Sequence, residues 1–457
     1  MADGATSNYS KILSLALPVG LEAVFQTGLG LIDQIIVGFL GANAVAGVGL
    51  SNSVSFIVIL IYSAIGTGSG VLVAQAFGRN SMEEVSATAA VGQIVAGTLG
   101  ACTALPLMLF ASLILHAVGA QEDVANGAAG YFQLFAASAP LTAISAVATA
   151  TFRSLNDTRT PMMVTMGAVA LNTLVGFFLV LGISPFPKLG VLGAGVATLL
   201  SQALRCLALL ITLYRRKEGP RWRWPWQCSG VERILRRLFE ITYPLALSEM
   251  FWGSSAFLYT LVFTRIGTAA LAASQIVMVI ENLFIVAGSG LAPAAVASIG
   301  QVIGAGSIRS AQTNAAAVLR LGALAGLIFT TLLIGAGFLL PVLYPQIHKD
   351  VLQLAFWGIL IAACVQPAKV LNNIFGNGIL PSGGDTKFVL AAHLIGSYLV
   401  GLPAALLLGI FWGFKVWVFG ARATEEITKV TLFLLRFCRS AWYQTSAGEV
   451  SPTPKQS

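Results

Sequence analysis

The sequence contains little charge for its length. Only 10% of its 457 residues are Asp, Glu, Lys or Arg, whereas soluble globular domains carry about 25%. Hydrophobic residues make up 56% of the chain and form many runs of roughly 20 residues or more, each long enough to cross a bilayer as a helix. These runs lack the strict polar–apolar alternation of a membrane β-barrel. The composition therefore excludes a soluble enzyme and predicts a polytopic helical membrane protein.

Residues for metal, disulfide and nucleotide chemistry are also scarce. The five cysteines are isolated and have no Cys-x-x-Cys spacing, so we predict neither a metal site nor a disulfide framework. The three histidines, His116, His348 and His393, form no His-Glu-x-x-His pattern, and the sequence has no P-loop. We therefore expect no enzyme activity and no cofactor. An ion gradient, of H⁺ or Na⁺, is the expected source of energy.

Twelve apolar spans are predicted, and the basic residues between them indicate their orientation. Most basic residues lie on the side of the N-terminus, so the positive-inside rule places both termini in the cytoplasm of a protein in the cell membrane. The loops on the other side carry only Lys188, Arg265, Lys349 and Lys415. The predicted spans are 12–40, 47–77, 85–117, 124–152, 161–183, 189–214, 238–265, 270–303, 310–342, 350–378, 387–410 and 413–436.

The chain contains an internal repeat. A shift of 226 residues places Pro18 on Pro244 and Gly41 on Gly267, and a shift of 228 places the Asp157-Thr158-Arg159 loop on Asp385-Thr386-Lys387. The fold class is therefore all-α, with twelve transmembrane helices in two six-helix lobes related by a parallel repeat. Such a repeat is typical of transporters that bind substrate between the lobes. The predicted divisions are 1–214 for the first lobe, 215–237 for a basic cytoplasmic loop, 238–437 for the second lobe and 438–457 for a cytoplasmic tail.

The basic loop contains the sequence RWRWPW at Arg221–Trp226. Alternating Arg and Trp could form a stacking platform for single-stranded nucleic acid, but beside a membrane these residues more often anchor at the lipid headgroups. The orientation of the spans already accounts for the net charge of +8. We therefore expect no nucleic-acid partner. The expected partners are the lipid bilayer and a small organic substrate, and the expected state is a monomer.

Carboxylates inside the first span are the sharpest functional signal, because a charged group at mid-bilayer costs several kcal/mol and is functional by default. Glu22 and Asp33 are 11 residues apart, which places them within roughly 20° of each other on one helix face and about 16 Å apart along it. Gln26 lies between them. The alternatives are that Glu22 is solvated near the headgroups and that Asp33 makes only a structural hydrogen bond.

The seventh span combines an acid with aromatic residues. Glu249 lies five residues after Pro244, on a helix that also carries Trp252 and Tyr259. A carboxylate beside aromatic rings is suited to an organic cation, through charge attraction and cation–π contact. We therefore predict that this helix lines the substrate cavity.

The eighth and tenth spans add three further polar residues. Glu281 and Asn282 either line the same cavity or have a structural role. Lys369 is the only lysine in the middle of a predicted span, and we expect it to pair with an acid of the second lobe or to snorkel towards the headgroups.

The sequence resembles the multidrug and toxic compound extrusion (MATE) family over essentially its whole length. The string Pro18–Asp33 is similar to the first helix of that family, and FRSLNDTRTP at Phe152–Pro161 resembles its FRGxxDTKTP signature. GILPSGGDTK at Gly378–Lys387 is similar to the second copy of that signature, and the stretch Glu425–Trp442 matches some bacterial members. The resemblance implies twelve spans in two lobes and export of small compounds.

The resemblance also implies site residues. Asp33 corresponds to the cation-coupling carboxylate of the family, Asn172 to an asparagine of its polar network and Thr198 to a threonine of that network. The chain departs from the pattern elsewhere. Gly176 stands where some members have a second acid, and Trp252 stands where others have a glutamate of the seventh span. A tenth-span acid is missing near Lys369, and Pro381 replaces an arginine of the second signature.

Together these observations predict an ion-coupled antiporter that exports small organic cations by alternating access. The alternative is a flippase for lipid-linked precursors, of the related superfamily, which would need a cavity lined by Arg and Lys for pyrophosphate. An intramembrane hydrolase would need paired catalytic residues, which the sequence lacks. The sequence does not name the substrate: a drug, a toxin and a metabolite all match it.

Overall fold

The computed structural model describes residues 2–217, 219–222, 224, 230–411, 416–439 and 442–443. For residues 2–8, Leu29, Ile410 and Phe411 it describes the backbone only. Several predicted features lie outside these residues. They are Lys415 and the start of the last span, Pro225, Trp226 and Cys228 of the basic loop, and the tail beyond Tyr443.

Every regular element in the described ranges is helical. The first half of the chain contains α1 (Ala2–Gly38), α2 (Ala42–Gly78), α3 (Met82–Leu109), α4 (Ala111–Ala117), α5 (Glu122–Ala137), α6 (Ala139–Ser154), α7 (Arg159–Leu181) and α8 (Val191–Arg215). The second half contains α9 (Val231–Ile266), α10 (Thr268–Gly288), α11 (Leu291–Gly304), α12 (Ile308–Phe338), α13 (Leu340–Leu343), α14 (Lys349–Ile374), α15 (Leu380–Ser382), α16 (Thr386–His393), α17 (Leu402–Leu406) and α18 (Trp417–Cys438). Three π-helical segments, Phe375–Ile379, Leu394–Gly401 and Leu407–Phe411, join α14 to α15, α16 to α17, and extend α17.

These helices account for the twelve predicted spans. Within the described ranges, nine helices or joined helices are long and apolar enough to cross a membrane by themselves. The pair α5 and α6 adds a tenth span, bent by 41° at a break at Ser138, two residues before Pro140. Helices α9 and α18 supply the remaining two. Both are less apolar than the other ten spans. Helix α9 carries Glu249 among serines, and α18 carries five charged side chains from Arg422 to Arg436.

The internal repeat extends to the ends of the helices. The bounds of α2 and of the joined α10 and α11 differ by 226 residues at both ends. Gly41 and Gly267, which precede them, have positive φ angles of 103° and 139°, a region that glycine enters without steric penalty. Close packing repeats as well: a Cβ on Gly100 would meet Pro140 Cα at 2.5 Å, and one on Gly326 would meet Pro367 Cα at 2.5 Å. Small residues thus let the same helix pairs approach in each half.

The described chain divides into two compact units. Residues 21–242 form the N-terminal unit, and the residues up to Gly20 together with those from Tyr243 onwards form the C-terminal unit. Each long first helix of a repeat, α1 and α9, therefore begins in one unit and continues in the other. The domain limits at 214, 237 and 437 remain predictions. Alanine-rich contacts of α2, α3 and α6 form one core of the N-terminal unit. The core of the C-terminal unit also contains alanines, together with aromatic and β-branched residues of α9, α10, α14 and α18.

Candidate functional site

The carboxylate of Asp33 is held by neutral donors on a neighbouring helix. The Asn172 amide donates to Asp33 Oδ2 at 2.7 Å, and the Thr173 hydroxyl donates to Asp33 Oδ1 at 2.7 Å. Because Asn172 and Thr173 are consecutive in α7, both carboxylate oxygens are bound from one short stretch of helix. Asp33 itself is half-buried, so the cluster retains access to its surroundings.

A second layer of polar groups supports this cluster from α8. The Ser201 hydroxyl lies 3.4 Å from the side-chain Oδ1 of Asn172 and can donate a hydrogen bond to it. This contact orients the amide hydrogens of Asn172 towards Asp33. Thr198 lies one turn before Ser201, but its hydroxyl donates to Ala194 of its own helix at 3.0 Å. Thr198 is therefore connected to the cluster through its backbone oxygen, which accepts a hydrogen bond from the Ser201 hydroxyl.

The structure thus brings together Asp33 and Asn172 and places Thr198 beside them rather than on the carboxylate. Thr173 and Ser201 were not predicted from the sequence. Neither was Tyr131, a buried residue whose hydroxyl donates to Asn52 at 3.1 Å and which lies near the Asp33 charge. The one sequence signal for Thr173 was its position beside Asn172, since two adjacent polar residues are unusual in an apolar span.

Glu22 occupies a different environment on the same helix. It is only 3% exposed and forms an ion pair with Arg153 Nη2 at 3.0 Å. Arg205 of α8 lies close enough for its charge to interact with both residues. Glu22 is therefore not solvated at the headgroups, and its charge is compensated by arginine. Gln26 is half-buried between the Glu22 and Asp33 positions.

The predicted cavity residues of α9 separate into three environments within the C-terminal unit. Glu249 lies near the side chain of Asn377, a neutral amide. The side chain of Trp252 is 37% exposed. Tyr259 is buried, and the guanidinium carbon of Arg422 lies 5.7 Å from the centre of its ring. That these three residues line one substrate cavity remains a prediction.

Glu281 belongs to a buried network of charges in the same unit, whereas its neighbour Asn282 is exposed. Lys369 forms an ion pair with Glu281, as expected from the sequence, and Arg422 lies 4.0 Å from the other Glu281 oxygen. On α18, Lys429 contacts Glu425 at 2.6 Å and Glu426 at 3.4 Å. Three carboxylates and three basic side chains thus neutralise one another between the packed helices of this unit, which permits their burial.

The chemistry available differs between these groups. In the described part of the chain, no three His, Cys, Asp or Glu side chains lie together as a metal site. The Glu22 and Glu281 carboxylates are already neutralised by basic side chains, so a mobile cation would compete with an arginine or a lysine there. Among the residues that the structure describes, Asp33 is bound by an amide and a hydroxyl and has no basic partner.

Comparison with known proteins gives a consistent result. The sequence profile of the MatE family matches residues 18–178 and 244–407. The chain is 25% identical to the uncharacterised transporter YisQ of Bacillus subtilis, over 95% of each chain. It is also 25% identical to the probable multidrug resistance protein NorM of Thermotoga maritima, over 94% of this chain and 92% of NorM. The crystal structure of the Vibrio cholerae MATE transporter VcmN in the bent form has the same fold, with a TM-score of 0.87 at 19% identity over 97% of this chain and 99% of VcmN.

Proposed function

Because this chain belongs to the MatE family of membrane transporters, we propose that it is an antiporter that exports small organic cations in exchange for H⁺ or Na⁺. One observation carries the coupling part of the proposal. The Asp33 carboxylate lies inside a span, and both of its oxygens are bound by neutral donors. An intramembrane carboxylate without a basic partner gains most from binding a proton or a metal cation, because the ion neutralises its charge.

Alternation between two conformations requires that the coupling ion bind them unequally. The donors to Asp33 lie on α7 while the carboxylate lies on α1. An ion on the carboxylate weakens the attraction to Asn172 and Thr173, so the packing of α1 on α7 is linked to ion binding. We propose that this linkage drives substrate release in one conformation and substrate uptake in the other.

The polarity of the substrate is inferred from the C-terminal unit. Glu249 lies near a neutral amide, and Trp252 offers an exposed aromatic face nearby on the same helix. An organic cation would gain both charge attraction and cation–π contact from such a helix. The relative NorM of Thermotoga maritima carries the name of a probable multidrug resistance protein, which supports drug-like organic compounds as the substrate class. Positive-inside charge further supports cytoplasmic termini in the cell membrane.

A second candidate is a flippase for lipid-linked precursors. It is favoured by the environment of Glu22, where Arg153 and Arg205 provide two positive charges for one carboxylate. A pyrophosphate group would compensate the excess charge. The cation antiporter is preferred because, among the described residues, the Asp33 oxygens have no basic partner to hold an anion beside them.

Reconstitution of the full chain into proteoliposomes tests both candidates. Uptake of a panel of organic cations is measured under an H⁺ gradient alone, an Na⁺ gradient alone and no gradient, with empty vesicles as the control. The antiporter predicts accumulation that depends on one of the two gradients. Accumulation without any gradient, or movement of a fluorescent lipid pyrophosphate but of no cation, would contradict it.

A further inference from the structure

A cavity of about 360 Å³ lies in the N-terminal unit where three helix ends meet. The C-terminal end of α2, the first turns of α3 and the first turns of α9 form its walls. Its lining contains three arginines, Arg79, Arg233 and Arg237, and the hydroxyl residues Ser81 and Thr88. The transport mechanism uses none of these residues, so the cavity needs a separate explanation.

The charges of this cavity do not cancel. Arg79 is paired with Glu84 at 2.8 Å, so these two side chains neutralise each other. Arg237 donates to the neutral Gln75 oxygen at 3.5 Å. Arg233 is exposed and has no ion-pair partner in the part of the chain that the structure describes. The described lining contains three arginines and two glutamates, so positive charge is in excess there, and an anion would compensate it.

A second basic cavity lies in the C-terminal unit, beside helices that the repeat relates to those of the first cavity. It measures about 400 Å³ and is lined by Arg309 and Arg320 of α12 together with Tyr9 of α1. By the 226-residue shift, α12 corresponds to α3 and the start of α1 to the start of α9. No acidic residue lies in its described lining, and Arg320 donates to the Tyr9 hydroxyl at 3.1 Å. A basic cavity thus occurs in each unit, although its arginines stand at different positions of the repeat.

Aromatic residues next to the first cavity indicate the depth of this region in the membrane. The ring of Tyr214 makes an edge contact with Trp222 at 5.2 Å, and Trp222 makes one with Trp224 at 5.6 Å. The Arg221 backbone amide donates to Ser86 at 3.0 Å, which fastens this aromatic row to the first turns of α3. Trp and Tyr concentrate at the headgroup level of a bilayer, so the cavity opens where lipid phosphates lie.

We propose that each of the two cavities binds the phosphate of an anionic phospholipid headgroup. Arg233 and Arg237 hold the phosphate in the N-terminal unit, and Arg309 and Arg320 hold it in the C-terminal unit. Guanidinium groups suit this ligand because they donate two parallel hydrogen bonds to phosphate oxygens. Basic pockets between spans are a known mode of recognition for anionic lipids. The bound lipid would fasten the starts of α9 and α1, and so tune the transporter to its membrane.

Native mass spectrometry of the full chain, with phosphatidylglycerol and phosphatidylcholine as probes, tests the proposal. We expect the unaltered chain to retain phosphatidylglycerol in preference to phosphatidylcholine. Arg233→Gln with Arg237→Gln should weaken that binding about fivefold for each arginine removed, as should Arg309→Gln with Arg320→Gln. The quadruple variant, with all four arginines replaced, should show no preference for phosphatidylglycerol. Arg236→Gln is the matched control, because Arg236 lies on the same helix but pairs with Glu240 at 3.0 Å.

Two further measurements separate the possible sources of the anion and the possible effects of misfolding. Inorganic phosphate alone should neither raise the thermal stability of the chain nor displace phosphatidylglycerol. Stabilisation by inorganic phosphate that the arginine variants lose would identify a free phosphate site and overturn the lipid assignment. Circular dichroism and size-exclusion profiles identify variants that fail to fold. Equal retention of both lipids by the unaltered chain would also overturn the proposal. So would an undiminished preference for phosphatidylglycerol in the folded quadruple variant.

Discussion

Asn172 donates a hydrogen bond of 2.7 Å to Asp33, although the two residues are 139 positions apart in the chain. The contact joins the first and fifth spans, and the neighbouring Thr173 occupies the second oxygen of the same carboxylate. This relationship makes Asp33 different from Glu22, which lies on the same helix but pairs with Arg153. One helix thus carries one carboxylate bound by neutral donors and one carboxylate paired with an arginine.

The first prediction concerns the hydroxyl of Thr173. Thr173→Val removes one donor to the Asp33 carboxylate, and hydrogen bonds to charged groups contribute about 1.5–3 kcal/mol. Gradient-driven uptake should therefore fall by about tenfold or more. Thr27→Val is the control, because the Thr27 hydroxyl donates to Ala23 of its own helix at 2.9 Å. Equal losses in the two variants would mean that the Thr173 contact has no special role.

The second prediction concerns the ion pair of Glu22. Glu22→Gln leaves Arg153 and Arg205 without their carboxylate in the interior of the unit. The expected loss of stability is about 2–3 kcal/mol, below the range for fully buried pairs because Arg153 is 21% exposed. A lower thermal midpoint in detergent measures it. Glu84→Gln breaks the more exposed pair with Arg79 and should cost less than about 1 kcal/mol. Similar midpoints for both variants would refute the structural role of Glu22.

The third prediction concerns the buried pair of Glu281 and Lys369. Each single substitution, Glu281→Gln or Lys369→Met, leaves an uncompensated buried charge and should lower stability by about 3–5 kcal/mol. The double variant removes both charges and should recover much of the loss. Thermal midpoints of the three variants form a double-mutant cycle. Additive losses would show that the two side chains do not act as a pair.

The fourth prediction concerns orientation. A single cysteine is introduced at Lys217, in a chain whose native cysteines are replaced by alanine. A membrane-impermeant maleimide should label it only after the cytoplasmic side becomes accessible, because the basic loop lies on that side under the positive-inside rule. A cysteine at Lys188 provides the control for the opposite side. Labelling of the Lys217 position from outside would reverse the assigned topology.

The sequence predicts the helices well because the repeat and the apolar runs are local signals. The 226-residue shift of the sequence repeat also separates α2 from the joined α10 and α11. The span α18 is harder to recognise from composition, since it carries charged residues that lie in the protein interior. Lys429, for example, is only 1% exposed and is neutralised by Glu425 of the preceding turn.

The site was only partly predictable because its contacts join distant helices. Asp33 is conspicuous as a carboxylate in an apolar span, and the family resemblance supplied Asn172. Threonines give no such signal, since most of those in spans donate to their own helix, as Thr198 does. That Thr173 instead turns towards Asp33 follows from the packing of α7 on α1. Similarly, nothing near Glu22 in the sequence identifies Arg153, 131 positions away, as its partner.

The coupling role of Asp33 is tested most directly by Asp33→Asn in proteoliposomes, with Asp33→Glu as the matched variant. Asparagine preserves the shape and much of the hydrogen bonding but can neither bind a proton at neutral pH nor neutralise a metal cation. The account predicts that the folded Asn variant still binds substrate yet cannot concentrate it against a gradient, whereas the Glu variant retains partial accumulation. Accumulation by Asp33→Asn at the rate of the unaltered chain would contradict the account.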